Sequence, residues 1–311
     1  MDATLQLLSP RREGEGKTAL VTGLAGFTGR YVADELRAAG YRVVGTTMPG
    51  HGAGEDLLAV DLTDRAAVAA AVAQVQPDVV VHLAAIAFVA HADISQFYNV
   101  NVMGTRNLLE ALAAQAKKPS AVLLASSANI YGNADLPMLD EQTPPAPAND
   151  YAVSKLAMEY MAKLWMDKLP IIITRPFNYT GVGQHENFLL PKIVAHFRRK
   201  APAIELGNLH VWRDFSDVRM VAASYRALLA HAPAAAGQAF NICSRTAYSL
   251  GEALAMMNRI AGYDIDVRVN PAFVRANEVV RLVGDNTRLA SVVGAIAPLP
   301  LAQTLRWMYE A

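Results

Sequence analysis

The stretch Thr18-Ala-Leu-Val-Thr-Gly-Leu-Ala-Gly-Phe-Thr-Gly29 decides the fold of this chain. An apolar run of strand length comes first, glycines follow at Gly23, Gly26 and Gly29, and helical periodicity continues through Leu36. Glycines in such a turn let the backbone amides and the positive end of the helix reach a pyrophosphate, which a side chain would hold away. Glycines also occur in ordinary tight turns, but the strand and the helix on either side favour a dinucleotide site here.

Outward from this turn, short apolar runs alternate with helical segments. Strands are predicted at 41–46, 57–60, 78–83, 121–125 and 170–174, with helices at 65–74 and 96–115. Apolar strands that are buried on both faces and separated by helices indicate βαβ units and a parallel sheet. After Arg175 the alternation weakens and short mixed segments with prolines and glycines follow, which indicates a second lobe.

The predicted fold class is therefore α/β, a Rossmann doubly wound parallel sheet with a smaller C-terminal α/β substrate lobe. Residues 17–176 are assigned to the dinucleotide-binding domain, and residues 212–242 are expected to return to it. Residues 177–211 and 243–311 are assigned to the lobe that binds the substrate, and residues 1–16 to a mobile N-terminal tail.

The composition excludes several classes of protein. Hydrophobic residues make up 53% and charged residues 18% of the chain, which is typical of a globular protein and not of a disordered one. The 28 basic residues balance 28 acidic ones, so no general field attracts nucleic acid or an anionic membrane. Cys243 is the only cysteine, which excludes an intrachain disulfide and a cysteine metal cluster. Without an apolar run of membrane length or a signal peptide, a cytoplasmic location and no metal site are expected.

Two strand ends bear on the cofactor. Asp61-Leu62 ends the third predicted strand, where an acid can hydrogen-bond an adenine amino group; capping the next helix is the alternative role of this carboxylate. At the end of the second strand, an acid would bind the ribose 2′-hydroxyl of NADH and repel a 2′-phosphate. Thr46 and Thr47 stand there instead, and Arg30 follows the third glycine. NADPH is therefore the predicted cofactor, with NADH as the alternative.

Tyr151-Ala-Val-Ser-Lys155 places a phenol and an ammonium at i and i+4 on one helix face. A phenol with an unperturbed pKa of ~10 is a poor acid–base group at neutral pH, and a neighbouring ammonium lowers that pKa. Ser127 lies in Ser126-Ser-Ala-Asn-Ile-Tyr-Gly132, at the carboxyl end of a predicted strand, where α/β sites form. The predicted catalytic set is therefore Ser127, Tyr151 and Lys155, and a solvated helix face is the alternative interpretation of the tyrosine–lysine spacing.

Together, these motifs resemble those of the extended short-chain dehydrogenases/reductases. The motifs are the glycine turn, His82-Leu-Ala-Ala85, Asn101-Val-Met-Gly-Thr105, Ser-Ser-x-x-x-Tyr-Gly and Tyr-x-x-x-Lys, and the match runs from about Thr18 to the C-terminus. The resemblance implies that Asn101 steadies the active-site helix and that this helix takes part in a homodimer. It also implies cofactor contacts at Gly23, Gly26, Phe27, Thr28, Gly29, Arg30, Asp61, Leu62, Leu83, Ala84, Ala85, Asn101, Tyr151, Lys155 and Pro176.

Three further segments resemble elements of that family that bind a nucleotide sugar. Arg175-Pro-Phe-Asn-Tyr-Thr-Gly-Val-Gly-Gln184 is similar to an element that lines the sugar nucleotide diphosphate, which implies a contact from Asn178. The segments 212–217 and 275–278 resemble elements whose arginines bind phosphate, here Arg213 and Arg275, although the second lacks the proline of the family pattern. Bidentate guanidinium contacts suit a diphosphate in a chain without net charge. A surface ion pair is the alternative role of each arginine.

Asn129 narrows the reaction. Sugar 4,6-dehydratases of the family carry an acid two positions after the catalytic serine or threonine, because a proton must leave C5. An amide at that position cannot act as a base, so Asn129 is expected to contact the substrate and dehydration is disfavoured. The string from Arg175 through Pro191 most resembles GDP-4-keto-6-deoxymannose reductases, which make GDP-rhamnose or GDP-6-deoxytalose. A nucleotide-sugar 4-epimerase is the main alternative, and a non-catalytic dinucleotide sensor is an alternative of another class.

Overall fold

The computed structural model describes residues 12–87, 93–134, 136–273 and 280–311. Its strands are β1 Thr18–Thr22, β2 Arg42–Thr47, β3 Leu57–Ala59, β4 Val79–His82, β5 Ala121–Ala125, β6 Ile171–Pro176, β7 Asn178–Thr180, β8 Ala203–Leu206, β9 Trp212–Asp217, β10 Ala239–Ile242, β11 Ala247–Ser249, β12 Asp266–Val269 and β13 Arg281–Leu282. Its α-helices are α1 Phe27–Ala38, α2 Arg65–Val75, α3 Ile94–Tyr98, α4 Thr105–Ala114, α5 Asp150–Lys163, α6 Leu189–Arg198, α7 Val218–Ala230, α8 Ala232–Ala235, α9 Leu250–Ala261, α10 Thr287–Val293 and α11 Leu301–Glu310. A π-helix covers Asn99–Gly104, and 3₁₀ helices cover Ala128–Tyr131 and Pro271–Phe273. Within these ranges, no helix has the length and apolar character needed to cross a membrane.

Seven strands form one parallel sheet in the order β10-β6-β5-β4-β1-β2-β3. Along β1, Ala19 and Val21 face one apolar layer and Leu20 faces the other, because successive side chains of a strand point to opposite sides. Helices α1 and α7 cover the first side, and α2, α4 and α5 cover the second. A parallel sheet buried by helices on both faces confirms the predicted Rossmann-type α/β fold.

A smaller body is built from the remaining strands. β9 lies between β11 and β13 and also pairs with β7, and β8 pairs with β12. Its core includes Phe197 of α6, Leu254 of α9 and Leu305 of α11. Of residues 212–242, β10 lies in the large sheet and α7 packs against α1, whereas β9 belongs to the smaller sheet. The domain boundaries stay a prediction, and the chain passes between the two bodies more than once.

Residues 12–16 differ from the expectation of a mobile tail. The N–H of Gly14 donates to the carbonyl oxygen of Ala39 at 3.0 Å, and the carboxylate of Glu13 lies 2.6 Å from the guanidinium of Arg226. Arg226, on α7, is 5% exposed and also pairs with Glu35 of α1 at 3.1 Å. Because a buried guanidinium needs counter-charges, it anchors Glu13, and this tertiary requirement is not visible in the local sequence. Residues 1–11 lie outside the described residues.

Candidate active site

The glycine turn joins β1 to α1 at the carboxyl edge of the large sheet. Gly23 has a φ of 71°, in the left-handed region that favours glycine, and a Cβ there would lie 3.0 Å from the backbone of Ala84. A Cβ on Gly29 would overlap the carbonyl oxygen of Gly23 and lie 2.6 Å from Cα of Leu24. α1 begins directly after Gly26, so its unpaired first N–H groups face a turn without bulky side chains. This cradle fits the pyrophosphate of a nicotinamide dinucleotide.

Ser127, Tyr151 and Lys155 lie together at the same edge of the sheet. Their exposures are 7%, 8% and 6%, so the burial argues against a solvated helix face. The hydroxyl of Ser127 lies close enough to the phenol of Tyr151 to lower its pKa. Lys155 Nζ donates to the carbonyl oxygen of Ala125, the last residue of β5, at 2.7 Å. The end of β5 and one face of α5 therefore supply the three polar groups that reduction of a carbonyl requires.

Burial controls the charge states of these groups. It raises the pKa of Tyr151 to about 12, and the Ser127 hydroxyl partly opposes that rise. Burial also lowers the pKa of Lys155 to about 8, and the carboxylate of Glu159 partly opposes that fall. Phenol and ammonium are both protonated at neutral pH as a result. The spacing predicted that Lys155 lowers the Tyr151 pKa, whereas in the structure the loss of solvent around the phenol outweighs its neighbours and the pKa rises.

Asn101 lies in the π-helix between α3 and α4 and is 1% exposed. Its Oδ1 accepts from the N–H of Ile86 at 2.9 Å, and its Nδ2 donates to Ser154 Oγ at 3.0 Å and to the carbonyl of Ile86 at 3.2 Å. Ser154 Oγ donates in turn to the carbonyl oxygen of Tyr151 at 2.8 Å. The amide thus fastens the segment after β4 to α5, which is the placement that a steadying role requires. The single helix predicted at 96–115 missed this π-helix, a feature that is frequent at functional sites.

Thr22 and Thr105 lie in the quoted motifs, and the sequence indicated no role in the site for either of them. Thr22 Oγ1 lies 2.7 Å from Nδ1 of His82, and Thr105 Oγ1 lies 2.8 Å from its Nε2. Thr105 donates its own proton to the carbonyl of Asn101 at 2.7 Å, so it accepts from Nε2–H, and Nδ1 accepts from Thr22. Burial lowers the pKa of His82 to about 3, so the ring is neutral. This chain of hydrogen bonds connects the end of β1, just before the glycine turn, to the π-helix.

Several of the other predicted cofactor residues surround the glycine turn. The N–H groups of Leu83 and Ala84 donate to Thr22 Oγ1 at 3.2 Å each, which brings the end of β4 against the turn. The Phe27 ring stacks on Tyr179 with centroids 6.1 Å apart, and Thr28 Oγ1 lies 2.8 Å from the Tyr179 hydroxyl. Tyr179 therefore connects the start of α1 to the smaller body. Two further residues follow strand ends, Ala85 after β4 and Pro176 as the last residue of β6.

Arg30, Thr46 and Thr47, the residues predicted to select NADPH over NADH, lie in different parts of the structure: Arg30 on α1, and the two threonines at the end of β2. Arg30 Nη2 lies 3.3 Å from the carbonyl oxygen of Gly183, so this guanidinium reaches across to the smaller body rather than toward β2. Thr46 and Thr47 end β2 and are 4% and 7% exposed. The role predicted for Arg30 beside a 2′-phosphate stays a prediction.

Asp61 closes a turn of its own backbone. Its Oδ1 accepts from the N–H of Thr63 at 2.8 Å and from the Thr63 hydroxyl at 2.7 Å. The alternative role weighed for Asp61, capping of α2, belongs to Asp64, whose side chain accepts from the first N–H groups of that helix. Leu62 is buried, and its carbonyl accepts from Asn107 Nδ2 at 2.9 Å. An adenine contact at Asp61-Leu62 stays a prediction.

Asn178 and Arg213 lie on neighbouring strands of the smaller sheet. Asn178 of β7 is paired in register with Phe215, two residues after Arg213 on β9. Residues two apart on a strand share a face, so Asn178 and Arg213 are on one face of this sheet. Arg213 Nη1 also donates to the carbonyl of Trp212 at 2.9 Å. The arrangement suits a shared anionic ligand but their contact with substrate stays a prediction.

Asn129 and Arg275 complete the predicted substrate contacts. The N–H of Asn129 donates to Ser127 Oγ at 3.2 Å, in the 3₁₀ helix that Ser127 caps. The backbone of Asn129 therefore lies next to Ser127, and Asn129 occupies the sequence position where a dehydratase would need an acid. Arg275 lies outside the described residues.

A Rossmann sheet with a glycine turn and a buried Ser, Tyr and Lys at its carboxyl edge defines the class of nicotinamide-dependent oxidoreductases of the short-chain type. The model of the family described as "NAD dependent epimerase/dehydratase family" matches residues 19–243. The chain belongs to this family, the extended short-chain dehydrogenases/reductases. It is 34% identical to GDP-6-deoxy-D-talose 4-dehydrogenase of Aggregatibacter actinomycetemcomitans, over 88% of this chain and 90% of that protein. It is 33% identical to GDP-6-deoxy-D-mannose reductase of Pseudomonas aeruginosa, over 92% and 94%.

Solved structures are similar over nearly the whole chain. The crystal structure reported as "a putative epimerase from Burkholderia cenocepacia J2315" has a TM-score of 0.90 and 58% identity, and the match covers 96% of this chain and 98% of that one. The structure of RMD from Pseudomonas aeruginosa complexed with NADPH has a TM-score of 0.82 and 30% identity, with 94% and 98% covered. The fold and the nicotinamide-dependent class are therefore shared with proteins of known structure.

Proposed function

We propose that this enzyme uses NADPH to reduce the C4 keto group of a GDP-4-keto-6-deoxyhexose, forming GDP-rhamnose or GDP-6-deoxytalose. The observation that carries the proposal is the buried set of Ser127, Tyr151 and Lys155 with an amide, Asn129, where dehydration would need an acid. The names of the two relatives at 34% and 33% identity support a GDP-6-deoxyhexose as the substrate. Asn178 and Arg213, on one face of the smaller sheet, are the proposed contacts to its diphosphate.

The residues of the site suit reduction rather than abstraction of a proton from carbon. A bound reduced nicotinamide supplies hydride to C4. As the C4 carbonyl becomes an alcohol, Tyr151 gives its proton to the oxygen, and its raised pKa of about 12 keeps that proton available at neutral pH. In the proposed complex, the Ser127 hydroxyl donates its one proton to the C4 oxygen. Lys155, an ammonium at neutral pH, holds the nicotinamide ribose and adds positive charge near the phenolate.

The end of β2 is the reason for proposing NADPH rather than NADH. Thr46 and Thr47 stand there in place of the acid that would repel a 2′-phosphate. The Pseudomonas aeruginosa structure with 30% identity was solved with NADPH. Arg30 is proposed to add positive charge beside the 2′-phosphate, and its exposed guanidinium lies 3.3 Å from the carbonyl oxygen of Gly183. A ratio of the two cofactors' kcat/KM values measures the preference directly, and a ratio that favours NADH would overturn it.

The reduction is tested by absorbance of the reduced nicotinamide with GDP-4-keto-6-deoxymannose. Wild-type enzyme should consume NADPH, and NMR of the product should show either rhamnose or 6-deoxytalose configuration at C4. Tyr151→Phe should still bind NADPH while turnover falls by about 10² to 10⁴, the usual contribution of a general acid. Near-normal turnover in that variant, or no NADPH consumption by the wild type, would refute the assignment.

A nucleotide-sugar 4-epimerase is the second candidate, favoured by the 58% identity to the Burkholderia cenocepacia protein. An epimerase returns the hydride to the same sugar, so it would interconvert a nucleotide hexose without net loss of NADPH. A non-catalytic sensor is a weaker candidate, because Tyr151 and Lys155 are both present and enclosed at the sheet edge. The homodimer and the cytoplasmic location stay predictions.

A further inference from the structure

Arg175 opens the Arg-Pro-Phe-Asn segment and its guanidinium is enclosed behind the site. Nε and Nη2 donate to the two carboxylate oxygens of Glu159 at 3.0 and 2.7 Å, a bidentate pair. The side chains of Arg175 and Glu159 are only 11% and 2% exposed. Glu159 lies one helical turn after Lys155 and two after Tyr151 on α5. Glu159 therefore lies on the same face of that helix as Tyr151 and Lys155, further toward its C-terminus.

The remaining terminal nitrogen of Arg175 binds a different segment. Nη1 donates to the hydroxyl of Tyr131 at 3.0 Å and to the carbonyl of Glu141 at 3.2 Å, and the guanidinium carbon lies 5.3 Å over the Tyr131 ring. Tyr131 ends the 3₁₀ helix that Ser127 caps, and it donates its proton to Asn241 at 2.7 Å. One guanidinium thus fastens the segment of Ser127 to the helix of Tyr151 and Lys155.

We infer that Arg175 and Glu159 are positioning residues, which together set the distance between Ser127 and the Tyr151–Lys155 face and keep a counter-charge beside the Lys155 ammonium. The inference rests on the proposed redox role of those three residues. Stability alone does not account for the pair, because apolar side chains of similar shape often stabilise a core as well as a buried ion pair does. The guanidinium of Arg175 is planar and has five N–H donors in a fixed geometry, so it can hold two segments at a defined distance. The single ammonium of a lysine could not do this.

The charges around Lys155 determine how the two residues can be separated by experiment. Glu159 opposes the fall in the Lys155 pKa that burial causes, and His82 of β4 faces the same ammonium but is neutral. On α4, which packs against α5, the charged residues Arg106 and Glu110 pair with each other at 3.2 Å.

At the start of α5, Tyr98 donates to Asp150 at 2.8 Å, about two and a half turns of helix before Glu159. Without the Glu159 charge, the Lys155 ammonium is opposed by the Arg175 cation alone, and its pKa falls further. Without Arg175, the Glu159 carboxylate has Lys155 as its remaining cation, and the Lys155 pKa rises. The two substitutions should therefore shift the same titration in opposite directions.

The test measures NADPH binding by fluorescence between pH 6 and 10, together with kcat, for Glu159→Gln and Arg175→Met. The midpoint of the alkaline loss of binding should move to lower pH in Glu159→Gln and to higher pH in Arg175→Met, by about 1 pH unit each. Arg175→Lys keeps the charge but loses the fork, so kcat should fall while the midpoint stays. Arg226→Lys is the matched control, since it alters a guanidinium of similar burial, 6% exposed and paired with Glu13 and Glu35, in α7.

Shifts in the same direction, or lower melting temperatures with no shift, would show that the pair only supports the fold. If Glu159→Gln does not fold, the direction of the Arg175→Met shift decides, since a purely structural residue predicts none. The cofactor titration uses no sugar, so it gives an answer even where the GDP-sugar assignment fails. A wild-type protein that binds NADPH equally from pH 6 to 10 would overturn the inference, because Lys155 would then not be the group that Glu159 serves.

Discussion

Replacing Lys155 with methionine should abolish turnover and yet stabilise the folded protein at neutral pH. Burial lowers the Lys155 pKa from its usual 10.5 to about 8, so keeping the ammonium enclosed costs about 3 kcal/mol of unfolding free energy at pH 7. Methionine has a similar length and no charge, but the carbonyl of Ala125 loses a donor that lies 2.7 Å away, a loss of about 1 kcal/mol. The net expectation is a gain of about 2 kcal/mol.

The sign of the pH dependence distinguishes this origin from a simple packing gain. Between pH 8 and 10.5 the unfolded chain holds a proton on Lys155 that the folded chain has released, so wild-type stability from this group rises with pH. The advantage of Lys155→Met in urea unfolding should therefore be full at pH 7 and shrink as pH rises from 8 to 10. Lys163→Met, at an exposed position of the same helix, is the control and should change stability by less than about 0.5 kcal/mol. A Lys155→Met protein that is less stable than wild type at pH 7, or a difference that is constant with pH, would refute the reasoning.

The remaining predictions concern the scaffold of the site, its titration and the outer face of α5. Asn101→Ala removes three hydrogen bonds worth about 1 kcal/mol each, so the free energy of unfolding in urea should fall by about 3 kcal/mol and turnover should fall too. Thr304→Val is the control: it removes a buried hydrogen bond to Asp217 and should leave turnover unchanged. Gly29→Ala puts a methyl group against the carbonyl of Gly23, so NADPH affinity should drop at least about 10-fold by fluorescence titration, and an unchanged affinity would contradict the fit of the cradle. Reductive turnover should fall as pH rises through about 8, where Lys155 loses its proton; a flat profile from pH 7 to 9 speaks against a role for the ammonium. Leu164→Glu combined with Tyr160→Glu, at side chains 75% and 56% exposed beside α5, should turn the predicted dimer into a monomer by light scattering, and an unchanged mass would place the interface elsewhere.

Much of the fold was predictable because its signals are local. The strand at 18–22 and the strand at 121–125 were predicted with the boundaries that the structure has. Both are apolar runs buried on two faces, and such runs need little context to be recognised. The shared face of Tyr151 and Lys155 was predictable for a similar reason, since it follows from i and i+4 spacing on a helix.

The errors arose where a distant group decides the local conformation. The helix predicted at 96–115 contains a π-helix at Asn99–Gly104, within which Asn101 bonds both Ile86 and Ser154. Arg30 also has a distant partner, the carbonyl oxygen of Gly183, which the helical pattern did not indicate. The periodicity of a helix carries no information on either partner.

The sequence by itself determined the alternation of strands and helices up to residue 174, the glycine turn and the residue types of the predicted catalytic set, because these depend on short-range patterns of volume and polarity. Only the tertiary structure decided the charge states. Burial raises the pKa of Tyr151 to about 12 and lowers that of Lys155 to about 8, while the spacing of the two residues had predicted a lowered tyrosine pKa. The free energy of a charge depends on the solvent that the whole fold removes and on partners such as Glu159 and Arg175, which local spacing cannot show.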